Sequence, residues 1–313
     1  MPEQSTSAVL IMAYGSPNSL DEVEPYMSQV RGGRQTTPQE VENLKERYRL
    51  VGGKTPLLSI TLAQAKALRA ELASDETRFP VYVGMKHWHP FIEDTVQEIV
   101  KDGADSIIGV ALAPHYSRLS IGGYEDAIVR GLSRAGSKVP LTMVKSWHTN
   151  YSLIDVLSKR VQDGLSKMQR PDAALMLFTA HSLPKKMVQS DDPYEKQLFE
   201  TSSLVADSAG IKHWSFAFQS ASEPRENWLG PQIQEQINRL VRDGYSELLV
   251  CPIGFVSDHL EILYDLDIEA KQQAKSLGVR LERTMSLNDD PSLIQALASV
   301  VRVAVQTEPI PVP

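Results

Sequence analysis

The sequence predicts an α/β protein in two similar halves, each a parallel sheet flanked by helices. Three observations predict it. Short, unbroken apolar runs recur along the chain, as in strands buried on both faces. Segments of helical length separate them. Two stretches of the first half are also echoed in the second. EIVKDG (98–103) precedes one apolar run and RLVRDG (239–244) another, while MAYGSP (12–17) is answered by TAHSLP (179–184).

In chain order, the first run is 8–13. Gly15 and Pro17 then force a turn that projects Tyr14. A helix over 38–50 opens with Pro38 at its first position. A second helix spans 61–73, a strand 81–85 and a helix 91–101. Gly103 suits the left-handed residue after that helix. Strands follow at 107–113 and 141–144. The second half repeats the alternation, with helices at 153–168, 194–209 and 232–242 and strands at 173–178, 215–218 and 248–251. A last helix spans 293–305. Two Rossmann-like domains result, 1–147 and 148–288. Residues 289–313 form a C-terminal helix and tail that pack back on the first. Open α/β sheets gather ligands beyond the carboxyl ends of their strands. The expected site is therefore a cleft between the domains, with Tyr14 and His181 just past such ends.

The 313 residues carry a net charge of −7, and no Lys/Arg cluster offers a nucleic-acid surface. No GxGxxG or GxxxxGK[ST] pattern occurs, and Pro56 breaks any helix after Gly52-Gly53-Lys54. A nucleotide-driven mechanism is not expected. The single cysteine, Cys251, cannot form an internal disulfide. It fits a reducing cytoplasm and a small buried side chain. The acidic, polar start lacks a signal peptide's basic region. No apolar run approaches the ~20 residues of a membrane helix. A cytoplasmic protein without a transmembrane segment is expected.

Several residues could carry chemistry. His181 at a strand end can ligate a metal or take a proton near neutral pH, or be a hydrogen-bonded loop histidine. Glu261, Asp265 and Glu269 are spaced i, i+4, i+8, one face of a helix. Like charges so spaced oppose the helix. Either they form a solvated surface, or they form a path of oxygen ligands for a divalent cation. His259 opens the same segment. Tyr14 can bond a ligand carboxylate, ligate iron, or pack as an ordinary aromatic. Arg31, Arg34, Lys45 and Arg47, with Tyr48, Tyr116 and Tyr124, suit a flat acidic ligand or a solvated helix face. His87 and His89 lie past a strand and are spaced so that they can share a strand face, His115 lies at another strand end, and His148 and His213 carry no motif.

Taken in order, MAYGSP, RYRLVGGKTPL, GMKHWHPFIEDTV, ALAPHYS, TAHSLP, WLGP and PIGFVSDHLEILYDLDIEAK resemble the ferrochelatases from about Ala8 to Val305. The likeness is greatest to the compact, soluble enzymes of Gram-positive type that act on coproporphyrin III. The resemblance implies a chelatase-like fold. It also implies insertion of Fe2+ into coproporphyrin III, giving coproheme in haem biosynthesis. Fe2+ is a substrate, and no cofactor is held permanently. By the same resemblance His181 and Glu261 are catalytic, and with Asp265 and Glu269 they handle the metal. Tyr14 faces the iron. Arg31, Arg47, Tyr48, Thr55 and Tyr124 hold the macrocycle or its carboxylates, and His87 stands behind the site. Thr55 replaces a serine, and Trp88-His89 a smaller apolar–acidic pair. The missing Cys-rich tail implies no iron–sulfur cluster, and the missing C-terminal extension a monomer. The next haem-pathway enzyme is an expected partner. The rival expectations are protoporphyrin IX as substrate, cobalt or nickel insertion into a sirohydrochlorin-type ring, and a tetrapyrrole carrier without turnover.

Overall fold

A computed structural model describes residues 5–188, 191–221 and 227–307. The first four residues and the tail beyond 307 lie outside this set. Two compact units result. One takes in the chain up to Pro114, Arg118–Trp147 and the chain from Asn288 on. The other comprises His115–Ser117 and His148–Leu287.

The first unit holds the parallel strands β1 (Ser7–Ala13), β2 (Val81–Met85), β3 (Ser106–Ala111) and β4 (Leu141–Val144), in the order β2-β1-β3-β4. All seven residues of β1 are buried, which explains its unbroken apolar run. The second unit holds β5 (Leu175–His181), β6 (Trp214–Gln219), β7 (Glu247–Cys251) and β8 (Arg280–Arg283), in the order β6-β5-β7-β8. The two topologies are the same, with β5 in the place of β1. In both, the chain adds a strand on one side of the first strand and then crosses to the other. The point where strand order reverses is where open α/β sheets leave room for a ligand. Tyr14 and His181 stand at those two points.

The correspondence reaches into the loops. His89–Pro90 after β2 and Gly230–Pro231 after β6 are both cis. Met85 N donates to Pro90 O at 2.6 Å, and Phe218 N to Pro231 O at 2.8 Å. Ala13 pairs with Met85 and Ala180 with Phe218, so Tyr14 is the counterpart of His181. The helices carrying EIVKDG (Ile92–Lys101) and RLVRDG (Ile233–Arg242) precede β3 and β7. A π-helix follows each of those strands, Arg118–Gly122 and Glu261–Ala270.

Each sheet is covered by apolar helix faces. In the second unit Leu177, Ala217, Ile237, Leu248, Val250 and Leu266 form one core. In the first, the helix Pro291–Ala304 lies on the helix Leu57–Glu71, and Arg302 bonds Asp75 at 2.9 Å. Some expectations shift. The strand placed at 173–178 begins at Leu175 and runs through His181, so His181 ends the strand rather than following it. Ala173 belongs instead to a 3-10 turn. The strand placed at 107–113 stops at Ala111. Helices Val23–Val30 and Gly123–Arg134 and strand β8 were not anticipated. The acidic run after β7 is a π-helix rather than an α-helix.

Candidate active site

In the second unit, β5 carries His181 to the switch point. Its Nδ1 lies 3.0 Å from Glu261 Oε2, the first residue of the π-helix. Both side chains keep about a third of their surface open, 34% and 31%. Burial disfavours the imidazolium. The charge and hydrogen bond of Glu261, with the charge of Asp265, more than offset it, and the His181 pKa lies above its ordinary value. Burial likewise pushes the Glu261 carboxyl up, but His181 and His259 hold it well below the usual carboxylate range. Glu261 is therefore the acceptor and His181 Nδ1 the donor. That leaves Nε2 as the ring atom available for a metal or a proton. His259 Nδ1 donates to Ser257 O at 3.0 Å, and its Nε2 lies 3.7 Å from Glu261 Oε2.

The pair is anchored from three sides. Tyr194 Oη donates to His181 O at 3.0 Å. Gln219 Nε2 donates to Glu261 O at 3.1 Å. Gly254 packs on the end of β5, where a Cβ would stand 2.7 Å from that of Ala180. Farther along the π-helix, Asp265 is 3% exposed and accepts a hydrogen bond from Ser220, whose φ of 65° lies in the left-handed region. Glu269 is half-buried one further step along. The intervening Asp267 faces elsewhere and pairs with Arg283 at 2.8 Å. Two explanations were open for the acidic spacing. Burial of Asp265 excludes a wholly solvated face.

In the first unit Tyr14 follows β1 with 43% of its surface exposed, its ring 4.5 Å from that of His87. Burial and the neighbouring Lys86 lower the His87 pKa to about 4, so that ring is neutral at pH 7. Thr55 donates to Ser16 Oγ at 2.8 Å, and Ser16 bonds the Tyr48 hydroxyl at 3.0 Å. Tyr48 is 1% exposed and lies on the helix Pro38–Leu50. Arg31 is bonded to Glu40 at 2.8 Å, and Arg47 is half-buried on the helix that Glu40 caps. Tyr124 is buried on Gly123–Arg134, under the Lys86 ammonium at 5.2 Å. Trp88 is buried and donates to Glu22 at 2.8 Å, while His89 is exposed.

His181, Glu261 and Asp265 thus come together in the second unit, and Tyr14 with His87, and Thr55 with Tyr48, in the first. Sequence reasoning missed Ser16, Lys86, Gln219 and Ser220. The available signal was position: Lys86, Gln219 and Ser220 stand at or just past the carboxyl ends of β2 and β6, and Ser16 lies inside MAYGSP itself. His115 and His148 are near each other, ring centres 5.9 Å apart, in the second unit. Among the described residues, no group of three or more His, Cys, Asp and Glu is arranged to hold a metal ion. No helix among them is long and apolar enough to cross a membrane.

Comparison with known proteins agrees with these features. The Ferrochelatase family model matches residues 6–305. A ferrochelatase of Herpetosiphon aurantiacus is 44% identical over 298 residues, covering 94% of this chain and 98% of its own. A coproporphyrin III ferrochelatase of Geobacillus kaustophilus is 39% identical over 303 residues, 95% of this chain and 96% of its own. Among solved structures, SirB from Bacillus subtilis with Fe3+ aligns over 96% of both chains with a TM-score of 0.61. At 15% identity this is a likeness of fold alone.

Proposed function

Because the chain belongs to the ferrochelatase family, we propose that it inserts Fe2+ into coproporphyrin III, with His181 and Glu261 as the reacting pair. The observation that carries this reading is the hydrogen bond of 3.0 Å between His181 Nδ1 and Glu261, made at the strand-order switch of the second sheet. Insertion releases two pyrrole protons as the ring nitrogens take the metal. A base must stand near the ring centre. His181 Nε2 takes the two protons one after the other, passing the first to solvent before it accepts the second, and Glu261 stabilises the imidazolium that forms each time. The pKa of His181, raised by Glu261 against the effect of burial, suits this role.

Fe2+ is a substrate and must shed water on its way in. Glu269, Asp265 and Glu261 offer oxygen ligands in steps of four residues along one helix. Tyr14, exposed beyond β1, is the candidate to face the iron of the macrocycle. Arg31 and Arg47 are candidates for its carboxylates, Thr55 and Tyr48 act through Ser16, Tyr124 braces the wall, and His87 orients Tyr14. Several relatives near 40% identity are coproporphyrin III ferrochelatases, which supports the four-carboxylate ring over the two-carboxylate protoporphyrin IX. A cytoplasmic monomer that needs no resident cofactor and hands its product to the next haem-pathway enzyme completes the proposal.

Side-by-side kinetics of the purified protein test it. Coproporphyrin III with Fe2+ is expected to give the highest kcat/KM among coproporphyrin III, protoporphyrin IX and sirohydrochlorin with Fe2+ or Co2+. Preference for protoporphyrin IX would overturn the substrate, and stoichiometric binding without turnover would overturn the activity.

A further inference from the structure

The two units place a side-chain nitrogen donor at the same point of their common topology. Lys86 follows β2 and Gln219 ends β6. The pairings Ala13 with Met85 and Ala180 with Phe218 make Lys86 the counterpart of Gln219, as Tyr14 is of His181. Both side chains reach the π-helix that follows the third strand of their own unit. Lys86 Nζ donates to Leu119 O at 3.3 Å and Ser120 O at 3.4 Å, within Arg118–Gly122. Gln219 Nε2 donates to Glu261 O at 3.1 Å, at the start of Glu261–Ala270. In each unit a side-chain nitrogen held by the neighbouring strand thus ties the π-helix to the end of the sheet.

The surroundings of both residues are built around this bond. A Cβ on Gly123 would run into Lys86 Nζ, so a larger residue there would displace the ammonium. Gln219 is fully buried, and its Oε1 has no partner among the described residues. The carbonyl it meets fixes its amide orientation. Gln219 O also accepts from Ser182 N at 2.8 Å, next to His181. One residue thus ties the end of β5 to the first turn of the π-helix, the two elements that set the distance between His181 and Glu261.

We propose that Lys86 and Gln219 are equivalent positioning residues: each fixes the first turn of a π-helix against the site residue beside it, Tyr14 and Tyr124 in one unit, His181 and Glu261 in the other. The Gln219 half rests on the reading of His181 and Glu261 as the reacting pair. The two residues act through different partners, so their loss separates in kinetics. Gln219→Leu is expected to lower kcat for Fe2+ insertion by on the order of 10–100-fold, with porphyrin KM unchanged. Lys86→Met is expected to raise porphyrin KM instead, with little change in kcat. Lys86→Gln, which gives the first unit the donor that the second uses, is expected to restore the wild-type KM. Disordered side chains in a damaged fold would move both constants together and would not be rescued by a neutral donor.

The assay uses the full chain, coproporphyrin III and Fe2+, with His181→Ala beside it. Wild-type kcat in folded Gln219→Leu, while His181→Ala is inactive, overturns the proposal. So does a Lys86→Gln variant no better than Lys86→Met, a result that stands even where Gln219→Leu does not fold. Activity retained by His181→Ala would instead overturn the reacting pair.

Discussion

Burial disfavours the charged form of both His181 and Glu261, and each favours the charged form of the other. Their roles are therefore inseparable at the level of the proton. Glu261→Gln keeps the shape and removes the charge, so burial is left to act on His181 with little opposition. The histidine's pKa is expected to fall below its ordinary value, and insertion to slow by about 10²–10⁴-fold. Histidine titration by NMR in the ligand-free protein checks the first effect, and an unmoved pKa would refute it. Cys251 illustrates the opposite case. It is 1% exposed, and burial pushes its thiol up to about 12, against weaker opposing effects of Thr284 and Arg283. Native protein at pH 8 should resist alkylation at this site until it unfolds. Both residues were legible in the sequence, His181 as a polar residue closing an apolar run and Cys251 as a small one inside such a run. Gln219 and Ser16 were not, because they act through a backbone carbonyl and a second hydroxyl, contacts that arise only when distant segments meet.

The acidic π-helix shows how far an element can be read. The spacing of Glu261, Asp265 and Glu269 predicts one helical face, and Asp265 is buried beside Ser220. The wide i→i+5 register is not written in that spacing. It depends on packing against neighbouring elements, as does the strained φ of Ser220. Strand β8 was invisible for a related reason: RLER has one buried apolar residue, Leu281, on a sheet edge where polar residues are normal. The helix Gly123–Arg134 was hidden by its glycines. Gly131 is needed there, since a Cβ would meet Val96 at 2.7 Å. Gly254 has the same importance for the site. Gly254→Ala should displace Ala180 and the end of β5, costing about 1–3 kcal/mol and slowing insertion through His181. Urea unfolding checks this, and an unchanged midpoint would contradict it.

At the scale of the molecule, two short sequence echoes marked a repeated topology, and each site residue gains meaning from its counterpart. The repeat was legible because glycines, prolines and strand ends must recur wherever the backbone does. The partners of the histidines were not. His115 shows the consequence for stability. It is 2% exposed, and its Nε2 bonds Thr201 at 2.9 Å. Burial, aided by His148, lowers its pKa to about 3. The folded chain keeps this ring neutral, whereas the unfolded chain protonates it below about 6.5. Between those values the unfolded state binds one more proton, so stability falls as pH drops from about 6.5 to 3. The slope is at most ~1.4 kcal/mol per pH unit from this residue. His115→Gln is expected to flatten the slope. Unfolding midpoints at pH 7 and pH 5 decide, and equal pH dependence in both proteins would exclude His115 as the cause.

The central claim is that His181 carries out the insertion and does not hold the porphyrin. Single-turnover mixing of coproporphyrin III and Fe2+ with wild-type protein and His181→Ala, followed by the visible spectrum, tests it most directly. The account predicts similar porphyrin binding by both proteins and a metallation rate lower by at least about 10²-fold in the variant. Metallation by His181→Ala at the wild-type rate would contradict it.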